Sequence, residues 1–297
     1  AWVGLIASLG AGATGHLAGQ QVAQSQPMKL AAMEALYNGG TDQGLTAVAL
    51  INPFSQPDYE NEASAPLKIE MPYFLSMMAT NDFHGFVPGI NDILNGYTTP
   101  DGKTEPSVNE KITRGRKAIN ALSIYRKAKK EGADEATLNQ QLSVINDNMA
   151  YFGYGFMRDK HQAVPFIPVN FWAFRIMVGL GCLFILFFAV LLAVSYQYPK
   201  QLMEKYDITT LPAWHYATAI LLVPLAYIAS ESGWLVAELG RQPWTIQDML
   251  PTWVGVSNID STSVAVTFFL FLFLFTLMLA VEINILLKQI KKGPERH

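Results

Sequence analysis

Three uncharged, strongly apolar runs dominate the second half of the chain: Val178 to Tyr198, Leu211 to Ser230 and Ser261 to Val281. Each has about 20 residues, the length that matches a hydrocarbon core of roughly 30 Å at 1.5 Å per helical residue. The third includes Phe268 to Phe275, a run of alternating Phe and Leu too apolar for a soluble surface. Ala1 to Gly19 is also uncharged but rich in small residues (Gly4, Ala7, Gly10, Gly12, Gly15), which let helices approach closely in a membrane. Polar Gln20, Gln21, Gln24 and Gln26 follow at once, so this segment reads as the closing part of a fourth crossing. No initiator Met, basic leader or cleavage-site pattern stands at Ala1, which reads as an interior point of a longer polypeptide.

The polar region between these runs has its own periodicities. Ser107 and Glu110 have capping-box spacing, and Ile112, Ile119, Leu122 and Tyr125 follow at helical intervals. Gly132 and Asp134 punctuate, and Leu138, Leu142, Ile145 and Met149 start a second helical pattern, which predicts a helical hairpin. Tyr37 to Pro100 is rich in Gly, Pro, Asn and Asp and reads as irregular. The pattern therefore predicts an all-α membrane protein, a transmembrane helix bundle with a large, partly helical extracytoplasmic loop. Its regions are 1–19 (the end of a truncated transmembrane helix), 20–168 (the loop) and 169–297 (three transmembrane helices).

Composition sharpens this reading. Charged residues make up 15% of the chain against about 25% in a soluble domain, and mean hydropathy is +0.19. Most of that charge lies between Gln20 and Pro165. An ordinary soluble enzyme, a disordered chain and a disulfide-rich module are excluded; the single cysteine, Cys182, sits in an apolar run. A net charge of −3 gives no basic face for nucleic acid. Lys288, Lys291, Lys292 and Arg296 keep the C-terminal tail cytoplasmic under the positive-inside rule. Counting back through three crossings puts the Lys200 to Thr210 loop inside, the Gly240 to Asp260 loop outside and the long polar region outside.

Charges within or beside spanning segments are the functional candidates. Glu231, Trp234, Glu238 and Arg241 close the second span at offsets that fall within about 80° on a helix. They serve either a site or an Arg–Glu pair closing a helix end. Arg175, among Phe171, Trp172 and Phe174, is either functional or a cation snorkelling to the headgroups. Lys29 and Glu34, five residues apart, lie on a segment that by itself reads as a solvated juxtamembrane helix. Phosphate-binding glycine loops, CxxC, HExxH and a nucleophile elbow are all missing, and the five histidines are scattered.

Together these clusters resemble a known family. Gly233-Trp234-Leu235-Val236-Ala237-Glu238-Leu239-Gly240-Arg241-Gln242-Pro243-Trp244 resembles the signature of subunit I of the cytochrome bd quinol oxidases. Phe174-Arg175-Ile176-Met177-Val178-Gly179 resembles its low-spin haem motif, and Lys29-Leu30-Ala31-Ala32-Met33-Glu34 the opening of its quinol-binding loop. The resemblance implies that Met177 is an axial ligand of haem b558 with Arg175 near its propionates. It also implies that Glu238 ligates haem b595, with Trp234 beside it and Arg241 on propionates, and that Lys29 and Glu34 bind quinol. The haem d ligand and the histidine opposite Met177 belong to an N-terminal part that this sequence does not contain. His16 falls where many relatives carry an acidic residue and is read as structural.

The implied activity is a bacterial inner-membrane terminal oxidase. Menaquinol or ubiquinol is oxidised near the outer face, and electrons pass through b558 and b595 to haem d, where oxygen is reduced to water. The implied partners are the N-terminal part of subunit I, subunit II, a small accessory subunit and the lipid bilayer. Two other classes compete: a transporter using Glu231 and Glu238 as ion or proton sites, and a structural subunit without haem. The first leaves Met177 and the Lys29 block without a role, and the second should have lost Met177 or Glu238.

Overall fold

Helix accounts for most of the computed structural model, which describes the chain except for 63, 198–212 and 294–297, and the side chains of 194–197, 213–216 and 219. The expected inner loop 200–210, the start of the second apolar run and Arg296 lie outside the described residues. By contact the chain divides into two units, Ala1–Val254 and Gly255–His297.

In the first unit α1 (Trp2–Ser25) runs through the glutamines, six residues past Gly19. Gln26 breaks it, and Pro27 occupies the first turn of α2 (Pro27–Glu34), where its missing N–H costs nothing. Ala35, in the left-handed region at φ 48°, closes α2. The two long helices α7 (Ile167–Gln197) and α8 (Ala213–Leu239) pack on each other, and α1 and α2 both rest against α7. The segment 35–166 folds outside these helices around buried Tyr37, Ile90, Leu94, Val108 and Met157. Its hairpin, α5 (Val108–Glu131) and α6 (Glu135–Asn148), forms where the pattern places it: Ser107 accepts from the Glu110 N–H at 3.2 Å, and Gly132 at φ 72° ends the first helix.

The stretch expected to be irregular carries short elements instead. Helices α3 (Phe74–Thr80) and α4 (Ile90–Asn95) accompany antiparallel ribbons β1 (Leu45–Val48) with β2 (Ile69–Met71) and β3 (Tyr97–Thr98) with β4 (Thr104–Glu105). A third ribbon, β5 (Trp244–Ile246) with β6 (Leu250–Pro251), follows α8. Strands of two to four residues leave no readable alternation, so the sequence could not signal them. In the second unit α9 (Ser261–Lys292) starts at Asp260, whose carboxylate accepts from the Thr262 N–H at 3.1 Å. Among the described residues three helices, α7, α8 and α9, are long and apolar enough to cross a membrane, and the fold is that of an all-α membrane protein.

Candidate functional site

The site lies where α2 meets α7 and α8. Leu30 to Glu34 of α2 are all buried, so the helix that reads as solvated in isolation is instead an interior element. Glu34 is 2% exposed, and its Oε2 lies 2.8 Å from Arg175 Nη2. The same guanidinium donates to the carbonyls of Thr46 (2.7 Å) and Met33 and lies 3.7 Å from the centroid of the Phe171 ring. Arg175 therefore does not snorkel; it is held by an acid, two carbonyls and an aromatic face. Burial pushes the Glu34 carboxyl up, and Arg175 pulls it back toward the ionised form. The pair keeps unused capacity: Glu34 Oε1 and Arg175 Nε are both buried and unpartnered among the described residues.

Lys29 turns the other way, toward α8, donating to the Ala237 carbonyl at 3.4 Å. Burial lowers its ammonium below the usual lysine range; nearby Arg241 lowers it further, and Glu238 opposes the shift. Gly240 permits this approach. A Cβ there would sit 3.0 Å from Lys29 Cε and 2.8 Å from Oδ1 of the fully buried Asn170.

Helix α8 has two chemically distinct faces. Ser232 and Val236, and Gly240 just past the helix end, are buried, and Gly233 takes Met177, whose Sδ would be 2.9 Å from a Cβ at that glycine. Trp234 is 60% exposed on the other face, where Glu231 is exposed and Glu238 partly so. Gly233 and Glu238 are five residues and hence about 140° apart, so Met177 and Glu238 address different spaces. Glu238 pairs with Arg241, the geometry of the plainer helix-end reading, yet Arg241 Nε is buried and has no partner among the described residues. His16 lies on an exposed part of α1, 3.0 Å from the Gln20 amide.

The structure thus joins Glu34 to Arg175 and brings Lys29 to the Glu238–Arg241 end of α8, while Met177 stays apart. Sequence reasoning missed Asn170 and the Thr46 carbonyl. No local signal marks either: the Asn170 amide only donates back to the Phe166 carbonyl at 2.8 Å, and Thr46 meets Arg175 from a segment remote in sequence. A thioether, an accessible carboxylate and two arginines with spare buried donors suit anionic, metal-centred cofactors such as haem, whose propionates would take those donors. Among the described residues no three His, Cys, Asp or Glu converge on a bare metal site.

Arg175, Met177 and Glu238 are carried on apolar helices long enough to cross a membrane. The chain belongs to the cytochrome bd terminal oxidase subunit I family, whose profile matches residues 1–294. It is 30% identical over 294 residues to cytochrome bd-II ubiquinol oxidase subunit 1 of Escherichia coli (strain K12), covering 98% of this chain and 54% of that protein. It is 29% identical over 295 residues to cytochrome bd ubiquinol oxidase subunit 1 of Bacillus subtilis (strain 168), covering 99% and 47%. The chain spans about half the length of the curated relatives it matches. The solved bd oxidase of Geobacillus thermodenitrificans shares the fold, with a TM-score of 0.55 and 21% identity over 98% of this chain and 48% of that one.

Proposed function

We propose that this chain forms the part of a bacterial terminal oxidase subunit that couples a quinol-binding loop to two haem sites. The whole complex oxidises menaquinol or ubiquinol and reduces oxygen to water. The observation that carries this reading is the buried Glu34–Arg175 pair, which ties the Lys29 to Glu34 block to the helix bearing Met177. Met177 and Arg175 would hold the low-spin haem b558; Glu238, Trp234 and Arg241 would hold the high-spin haem b595; the ligand of haem d lies outside this sequence. Bound haem supplies the one-electron chemistry of quinol oxidation and oxygen reduction.

The chain's own residues set the conditions for that chemistry. The Met177 thioether favours a high reduction potential, which suits an acceptor of quinol electrons. Arg175 and Arg241 offset propionate charge in a low-dielectric setting, and Glu34 fixes the Arg175 guanidinium. Lys29 and Glu34 belong to the quinol end, at the outer face of the inner membrane. Subunit II, the N-terminal part of subunit I, an accessory subunit and lipid complete the assembly.

Met177→Leu tests the assignment. Leu keeps the volume at a cost under about 1.5 kcal/mol but cannot bind iron. The reduced-minus-oxidised spectrum of the complex is expected to lose the low-spin b band while the complex remains assembled. An unchanged band removes Met177 from the site, and no haem band even before mutation favours the transporter. Orientation has its own check. Protease added to spheroplasts is expected to cut the Tyr37 to Pro100 stretch, where Phe54 is 90% and Leu67 79% exposed. Cutting only in inverted vesicles reverses the topology.

A further inference from the structure

Outside the Glu34–Arg175 site the first unit holds a cavity of about 390 Å³, within the range of small-molecule sites. Neither Lys29 nor Glu34 lines it. One wall is the polar end of α1 and the first turn of α2, from Ala23 to Met28. The others come from the Phe86 to Ile93 segment, the β3–β4 ribbon, α5, the 3₁₀ turn at Tyr154, Ala163 and the segment after α8.

Two aromatic pairs furnish the walls. Phe86 and Tyr97 stack at 5.6 Å and 30°, and Tyr154 meets Trp244 edge-on at 4.9 Å. Around Tyr154 the cavity gains both a cation and an anion. The Lys111 ammonium stands 5.6 Å from the ring centroid and only 4.0 Å from its nearest acid, Glu105. The Tyr154 hydroxyl donates to Asp248 Oδ1 at 2.7 Å, and the Gln247 amide donates to the same oxygen. Aromatic walls suit a flat ring. An ammonium suits a carbonyl or phenolate oxygen on its edge, and a carboxylate suits a hydroxyl donor. A ring that alternates between carbonyl and hydroxyl oxygens finds a partner here in either state. The wall from α1 also matters: that helix carries no formal charge from Trp2 to Ser25, so the cavity adjoins the end of an uncharged helix.

We propose that this cavity is a second binding site for the ring of a quinone or quinol, separate from the Lys29–Glu34 block, with Lys111 and Asp248 taking its edge oxygens between the Tyr97 and Trp244 walls. The site rests on the quinol reading above for the identity of its ligand and involves binding only.

The test uses the purified, haem-loaded complex and a short-tailed azidoquinone as photoaffinity probe. Labelled peptides are mapped by mass spectrometry with decylubiquinone as competitor. Label is expected on peptides bearing Tyr97, Lys111 or Trp244, displaced by the competitor. Lys111→Met should raise the probe concentration for half-maximal labelling there by roughly tenfold, the scale of one charge-assisted hydrogen bond, with the haem spectrum unchanged. Asp248→Asn is the second variant, expected to act in the same direction, so a poorly folding Lys111→Met does not end the test. Label confined to Lys29–Glu34 or to the spanning helices, in a complex that still oxidises quinol, overturns the second site alone. Cavity labelling insensitive to both variants overturns it too. A complex with neither quinol oxidation nor competitor-sensitive label overturns the quinol reading and this site together.

Discussion

Glu238→Ala is expected to remove or strongly reduce the high-spin b haem band and to abolish most oxygen consumption, leaving the low-spin band in place. Met177, on α7, packs against the Gly233 face of α8, about 140° around that helix from Glu238, so one can be lost without the other. The substitution also leaves Arg241 without its acid, in a helix end where its Nε is already unpartnered. Glu238→Gln should be nearly as damaging, because a neutral amide binds iron poorly and brings no charge to offset either ferric iron or Arg241. Glu231 lies two turns away on the same exposed face, roughly 10 Å along the axis, too far to serve the same iron. Its variants should keep the band. A transporter would treat the two glutamates alike. Difference spectroscopy with oxygen-electrode assays decides between them, and a Glu238→Ala complex with a full high-spin band and normal respiration overturns the ligand assignment.

Glu34→Ala is expected to be the most destabilising single change in the loop, by about 3–5 kcal/mol, because it leaves Arg175 buried without its counter-charge. The thermal midpoint of the detergent-solubilised complex should fall. The low-spin band should shift as well, since Arg175 lies two residues from Met177 on the same helix. Glu34→Leu combined with Arg175→Met should recover much of the stability, as apolar replacements of buried ion pairs often do, without restoring the band. Lys29→Ala should behave differently. Its single bond to a backbone carbonyl is long, at 3.4 Å, so stability and haem spectra should persist while the apparent KM for quinol rises. In sequence Lys29 and Glu34 look like two members of one motif with one role, but the fold turns them toward different helices. Equal stability for the two single variants would dissolve the Glu34–Arg175 link.

The amino-acid sequence determined the membrane class, the apolar helices α7, α8 and α9, the α5–α6 hairpin with its Ser107 cap, and the end of α8 at Gly240. It did so because these features depend on composition, period and capping within one stretch of chain. It also marked Arg175, Met177, Glu238 and Arg241, since charge or a specific motif in an apolar setting is visible locally. Only the tertiary structure decided what those residues touch. Helix α2 is buried because α7 covers it. Arg175 is anchored because Glu34, Met33 and Thr46 reach it from over a hundred residues away. Met177 faces α8 because Gly233 has no side chain to stop it, and Lys111 meets Tyr154, which in turn reaches Asp248, across loops with no shared pattern. Each of these contacts is a choice of partner between distant segments, settled by which surfaces pack and which charges then find compensation, and no local periodicity records that choice.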